Sequence, residues 1–177
     1  MTMTPEDGPV LRTDRLVLRP WRVDEAAVQR ELWTERDPRV PPHRRIDAQG
    51  RPTVEDLADA IRRNPPTSPL GLLAIERRVE CDVIGYCGLV HQGHGPEDEP
   101  ELAFELLRRT WGQGYATEAS LAVIDRARAA RVRRLWATVW DWNHASRRVL
   151  AKVGFRETAR QEAYPGRGTT LFTTRVL

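Results

Sequence analysis

At 177 residues the chain is long enough to bury well over half of its unfolded surface around one core, so a single domain spanning residues 1–177 is expected. A formal charge of +3, from 28 basic side chains interspersed with 25 acidic ones, gives no support to a nucleic-acid partner. No apolar run reaches the roughly 18 residues of a membrane span. Met1 to Gly8 also lacks the basic-then-apolar pattern of a signal peptide, so a cytoplasmic protein with no membrane partner is expected.

The chain opens on Leu16 to Arg19, a short apolar strand ending at Pro20, after which Asp24 can cap a helix running towards Trp33. Asp37 to Pro52 carries Pro38, Pro41 and Pro42 among arginines with no period and reads as a loop that could wall a site. Thr53 with Asp56 starts a second helix to about Asn64, and Pro65, Pro66 and Pro69 then break the chain. Leu70 to Glu76 and Val83 to Val90 read as a hairpin turning around Val79 to Asp82. After a turn from Gln92 to Pro100, Glu101, Ala103 and Glu105 alternate with Leu102, Phe104 and Leu106, which predicts a strand with one apolar face and one carboxylate face.

From Ala116 the period changes. Ala116, Ala119, Val123, Ala127 and Ala130 form a helical stripe whose last turns collect Arg126, Arg128 and Arg131 at the negative end of the dipole. Leu135, Ala137 and Val139 alternate with Trp136, Thr138 and Trp140, completing a βαβ unit whose strands should be parallel. A short helix from about Ala145 to Lys152 stops at Gly154, and the tail from Phe155 reads as two strands around Pro165 to Gly168.

Cys81 and Cys87 fall in one extended stretch that would hold them about 20 Å apart, too far for a disulfide. Neither belongs to a CxxC pair, and His91 and His94 flank glycine in a turn, so they read as loop residues and no metal site is expected.

Arg109-Thr110-Trp111-Gly112-Gln113-Gly114-Tyr115-Ala116 lies between the carboxylate-bearing strand and the long helix. The first turn of a helix leaves N–H groups unpaired, and glycines let an anion approach the backbone, so this segment reads as a cradle for a pyrophosphate. A dinucleotide fingerprint would need glycine where Thr117 stands, and the Gly-Lys-Ser/Thr of a P-loop is missing.

Arg109-xx-Gly112-x-Gly114, continuing as Tyr115-Ala116-Thr117-Glu118-Ala119, resembles the acetyl-CoA signature of the GNAT superfamily, specifically its RimJ/RimL-like branch. Asn143-xx-Ser146-xx-Val149-Leu150-x-Lys152-x-Gly154-Phe155 is similar to that branch's second signature, and Leu11 to Arg19 and Asp37-Pro38-x-Val40 resemble its opening. Two departures stand out: Thr169 and Thr170 where the tail often has an aspartate, and Glu105 at a place usually aromatic. The resemblance implies an α/β single-domain GNAT fold, a mixed central sheet of about six to seven strands flanked by about four helices.

It also implies an acetyl-CoA-dependent N-acetyltransferase acting on a small-molecule amine or a protein N-terminus, with no metal and with a homodimer common among relatives of this kind. Backbone N–H groups from Thr110 through Trp111, Gly112, Gln113, Gly114 and Tyr115 to Ala116 would hold the pyrophosphate, and main-chain groups near Leu106 would pair with the pantetheine arm. Arg109 would add charge there or stand solvated beside Arg108. Asn143 would both cap its helix and bond the coenzyme arm. Ser146 would be the proton donor to the leaving thiolate, or a plain helix-surface serine, since a thiol near pKa 8.5 leaves easily. Glu101 is the first choice of general base and Glu105 the second, against a solvated strand face for both. Trp111, Trp140 and Trp142 can line the site, although most of the tryptophans should make core. A non-catalytic acyl-CoA sensor of the same fold is the alternative, and a small arginine-rich nucleic-acid protein, resting on Arg131, Arg133 and Arg134, is a third reading opposed by the interspersed acids.

Overall fold

Eight strands form one mixed sheet in the order β1-β2-β3-β4-β5-β6-β8-β7. The computed structural model describes residues 11–64 and 71–177; the proline break at 65–69, Leu70 and Met1 to Gly8 lie outside them. In chain order the elements are β1 (Leu11–Arg12), β2 (Leu16–Arg19), α1 (Ala26–Glu35), α2 (Val54–Arg63), β3 (Leu72–Arg77) and β4 (Val83–Val90). Then follow β5 (Glu101–Leu106), α3 (Tyr115–Ala129), β6 (Arg134–Trp140), α4 (His144–Lys152), β7 (Arg156–Tyr164) and β8 (Gly168–Val176). The strand beyond the expected count is β1, two residues paired with Leu18 and Val17 of β2 and too short to show a period.

Local chemistry explains most boundaries. Thr53 accepts from the Asp56 N–H at 3.1 Å while Asp56 accepts from the Thr53 N–H at 2.9 Å, the reciprocal cap that starts α2. Before α1 the cap is Glu25, not Asp24: a 3-10 turn over Val23–Glu25 intervenes, and the Glu25 carboxylate accepts from the Arg22 N–H at 2.8 Å and from the Arg19 guanidinium. In α3 the buried positions are Tyr115, Ala119, Ser120, Val123, Ile124 and Ala127. Ala130, expected on the stripe, is the exposed C-cap, because the helix ends one residue earlier.

The two faces of the sheet are both covered. On one, Cys87 of β4 meets Ser120 of α3, and the main core joins Leu16, Leu18, Ile75, Ile84, Leu102 and Leu135 to α3 and to Leu150 of α4. On the other, Tyr86 of β4 and Glu105 of β5 meet Arg36 at the end of α1, and α1 packs on α2 through Ala26, Leu57, Ala58 and Trp33. The carboxylate face of β5 is therefore not the solvated surface its alternation allows: Glu101 is buried and Glu105 half-buried. Burying a leucine such as Leu16 or Leu135 contributes about 2–3 kcal/mol, so this two-sided core fixes the strand register firmly.

Every neighbouring strand pair is antiparallel except β5 and β6. That parallel pair closes the βαβ unit, but its register holds only at Glu101 opposite Trp136, where the Trp136 N–H also reaches the Pro100 carbonyl at 3.0 Å. Beyond this point β6 goes on pairing with β8 as far as Trp140, while β5 continues alone on that side. The strands diverge towards their C-terminal ends, and the wedge between them faces the N-termini of α3 and α4.

Candidate active site

The wedge is a cavity of about 1010 Å³ that reaches Leu106, Gly114, Ala116, Asn143 and Ser146 on one side and Tyr86, Glu101 and Glu105 on the other. Its floor on the α3 side is built by the glycines. Gly112 and Gly114 have φ of +76° and +83°, left-handed conformations that cost a side-chain-bearing residue about 1 kcal/mol or more. Gly114 caps α3: its carbonyl takes the Glu118 N–H at 3.0 Å, while the N–H groups of Tyr115, Ala116 and Thr117 find no acceptor among the described residues. These donors, at the positive end of a helix dipole and on a cavity wall, are placed to receive an anion.

The loop is tied from behind by residues outside the motif. Arg15 donates to the Gln113 carbonyl at 3.0 Å and to Glu118 at 2.7 Å, and it lies over the Tyr115 ring at 4.5 Å. Thr13 adds a hydroxyl bond to Glu118 at 2.6 Å. Burial works against the Glu118 charge, but the hydrogen bonds from Thr13, the Arg15 N–H and the Arg15 side chain outweigh it and hold the carboxyl below its usual range. With the Gln113 carbonyl drawn to Arg15, the loop's amides are left for the cavity. Arg109 turns away and pairs with Glu31 of α1 at 2.6 Å; both are about half exposed, so the pair contributes little. Neither Arg109 nor Gln113 lines the cavity, whereas Thr110 and Trp111 do.

Strand alternation fixes the edge of β5. The Leu107 N–H donates to Ile84 and Tyr86 stands opposite Glu105, so the amides of Phe104 and Leu106 point away from β4, into the wedge. The Leu106 carbonyl there accepts from Trp111 Nε1 at 2.6 Å. Across the wedge Asn143 Oδ1 caps α4 by accepting the Ser146 N–H at 3.1 Å, and the Ser146 hydroxyl has no partner among the described residues.

The two candidate bases have different surroundings. Glu105 accepts from Arg36 Nε and Nη2 at 2.8 and 2.6 Å and from the Tyr86 hydroxyl at 2.8 Å. Burial works against the Arg36 charge and Glu105 more than offsets it; burial, with the Glu105 charge second, pushes the Tyr86 phenol well above its ordinary range. Glu105 thus has its lone pairs engaged. Among the described residues the Glu101 side chain has one hydrogen-bond partner, His94 Nδ1 at 2.7 Å. A histidine between two glycines gave no sign of this in the sequence, and it is the main site residue the motifs miss, with Arg36 and Tyr86. Burial raises the Cys87 thiol to about 12, which leaves it inert as a nucleophile.

The tryptophans correct one expectation: none of them belongs to the fully buried core. Three indole N–H groups find partners outside the core, Trp111 on the Leu106 carbonyl at 2.6 Å, Trp136 on Glu99 at 2.7 Å and Trp142 on the Arg167 carbonyl at 2.8 Å. Trp140 stacks on Trp142 at 5.9 Å and meets Tyr164 edge-on at 5.5 Å, giving the cavity an aromatic wall, and Trp111 stands 54% exposed at its mouth.

The acetyltransferase (GNAT) domain family matches residues 15–156, a stretch that contains the glycine loop, the βαβ unit and α4. N-acetyltransferase p20 of Bacillus licheniformis, itself uncharacterized, is 27% identical over 155 residues, covering 83% of this chain and 82% of that protein. Among solved structures, a GNAT-family acetyltransferase from Bacillus anthracis shares the fold with a TM-score of 0.76 at 18% identity over 94% of this chain and 98% of that one. RimJ of Mycobacterium smegmatis, solved in complex with CoA-disulfide, does so with a TM-score of 0.67 at 22% identity over 94% of this chain and 85% of that one. A family match across most of the residues, on a fold those structures share, means that this chain belongs to the GNAT acetyltransferases.

Proposed function

We propose that the protein moves an acetyl group from acetyl-CoA to a primary amine, either a protein N-terminus or a small molecule, as a RimJ/RimL-like member of its family. The observation that carries this reading is the set of unpaired N–H groups at Tyr115, Ala116 and Thr117, opening onto the wedge between β5 and β6. A coenzyme with a diphosphate and an amide-bearing arm fits those residues. The α3 amides and the positive-φ glycines would hold the diphosphate, and the Leu106 and Phe104 amides and Asn143 would bond the arm. Bound there, the coenzyme supplies an activated acyl thioester.

The remaining work falls to the chain's own residues. One of the β5 main-chain N–H groups facing the wedge would donate to an acyl carbonyl oxygen, leaving the others to the arm. The amine would lose a proton on the Glu101 side of the wedge, which an α-amino group near pKa 7.8 needs less than a lysine-like amine near 10.4, whose deprotonation at neutral pH costs about 4–5 kcal/mol. Ser146, whose hydroxyl has no partner among the described residues and which lines the wedge, would be the proton donor to the thiolate.

The test is a panel of peptides, amino acids, polyamines and aminoglycosides incubated with acetyl-CoA, with thiol release and product mass as readouts. Acetylated product from at least one amine is expected. Tight CoA binding by calorimetry with no amine acetylated would replace this reading with that of an acyl-CoA sensor.

A further inference from the structure

The carboxylate nominated as base is not the group that meets the cavity most openly. Glu101 leaves 4% of its side chain exposed, His94 leaves 30%, and both line the same wedge. Glu101 Oε1 lies 2.7 Å from His94 Nδ1. A carboxylate only accepts, so Nδ1 carries the proton; in the neutral ring Nε2 then holds a lone pair, and no residue among those described occupies it. The ring is held in place. It meets Phe172 edge-on at 5.3 Å, and its main-chain carbonyl accepts from Arg160 at 2.8 Å while the Arg160 guanidinium lies over Phe172 at 3.9 Å.

We propose that His94 takes the proton from the acceptor amine and that Glu101 is its positioning residue; this rests on the acetyltransferase reading above. An ammonium acceptor gives one N–H proton to Nε2 and keeps the electron pair on nitrogen, and Glu101 holds the resulting imidazolium through Nδ1–H. That pair forms the C–N bond to the acyl carbon as the C–S bond breaks with its electrons on sulfur. The second N–H proton ends on the sulfur, so one amide, one thiol and one proton on His94 result. The charged side chains around the ring are Glu101 of β5 and Arg160 and Glu162 of β7, the latter two paired at 3.0 Å, and a pH profile reports on this set.

Two measurements decide the assignment. In the first, kcat and KM are followed from about pH 5 to pH 9 for wild type, His94→Gln and Glu101→Gln, with CoA affinity taken by calorimetry. His94→Gln should lower kcat by about 100-fold or more, abolish the acidic limb and leave CoA affinity within about twofold. Glu101→Gln should keep that limb but move it to lower pH, because the imidazolium loses its counter-charge. In the second, nitrogen NMR of the coenzyme-free protein should show His94 as the Nδ1–H tautomer in wild type and shifted towards Nε2–H in Glu101→Ala. An Nε2–H tautomer in wild type, or full turnover in His94→Gln beside a large loss in Glu101→Gln, overturns the assignment and leaves the acetyltransferase reading standing. A wild type silent with every amine sinks both.

Discussion

Replacing Glu105 by glutamine separates a carboxylate that builds the cavity from one that does its chemistry. The side chain takes two hydrogen bonds from Arg36, at 2.8 and 2.6 Å, and one from Tyr86 at 2.8 Å. Side-chain exposure is 9% for Arg36 and 20% for Glu105, so the pair lies nearer the buried limit than the surface one. Breaking a buried pair by removing one partner costs about 3–5 kcal/mol, because the other charge is left in place without compensation. Glutamine keeps one carbonyl acceptor and the pair is partly wet, which brings the expected loss for Glu105→Gln to about 2–3 kcal/mol. At about 2–4 °C per kcal/mol for a chain of this size, Tm should fall by about 4–12 °C. Urea unfolding followed by tryptophan fluorescence gives the free energy directly, and Trp33, lying under the Arg36 guanidinium at 4.2 Å, is a local reporter. A cycle with Arg36→Met should return a coupling above about 1 kcal/mol. Turnover per folded molecule should stay within about threefold of wild type, since the carboxylate's lone pairs are already committed. A Glu105→Gln protein of unchanged stability that loses its turnover would refute this reasoning and make Glu105 the base.

Valine at both Gly112 and Gly114 should weaken CoA binding at least about tenfold by calorimetry, because both positions need positive φ; an unchanged Kd would remove the cradle from the account. Alanine at Gly112 alone, where an added Cβ meets nothing within 4 Å, should cost about 1 kcal/mol of stability through the backbone only. Glu118→Gln should destabilise by about 1–2 kcal/mol at neutral pH, since three donors lose a charged acceptor. The folded-state pKa of Glu118 lies below its ordinary 4.5, so its stabilising effect is complete above that pH and lost as pH falls through the folded value. Denaturation curves over a pH series should accordingly show a shallower acid limb in the variant. Ser146→Ala should change kcat by less than about threefold if the thiolate leaves without a protein acid, and a loss of about 100-fold would assign Ser146 that role.

What could be read from the chain is what neighbours in sequence determine. β2 and β4 run as their apolar pattern predicts, Thr53 caps α2 as the Thr-xx-Asp spacing implies, and the glycine loop sits between β5 and α3, where the change of period places it. α1 starts one residue beyond what an Asp24 cap implies, because a 3-10 turn ends on Glu25, whose carboxylate is held by the Arg22 N–H and by Arg19 of β2. The face of β5 could not be judged from alternation, which records that Glu101 and Glu105 share a side but not that α1 and the 92–100 turn cover it. His94, Arg36 and Tyr86 left no local trace, because their meaning is a partner elsewhere: Glu105 lies 69 residues from Arg36.

This difference follows the division of labour inside the wedge. The wall proposed for the coenzyme comes from contiguous chain, β5 through the glycine loop into α3 and then the start of α4, so one stretch of sequence encodes it. The facing wall is assembled from segments far apart in the chain: the end of α1, the 37–45 loop, Tyr86 of β4, and Glu162 and Tyr164 of β7. In the proposed reading the first wall would hold the coenzyme and the second would shape the place for the amine. Arg39 over the Trp142 ring at 4.1 Å and Arg36 locked to Glu105 join that second wall to β5 and to the turn before α4. A substitution there changes the shape offered to the acceptor without touching the diphosphate cradle. It should therefore move KM for the amine while leaving the affinity for CoA as it was.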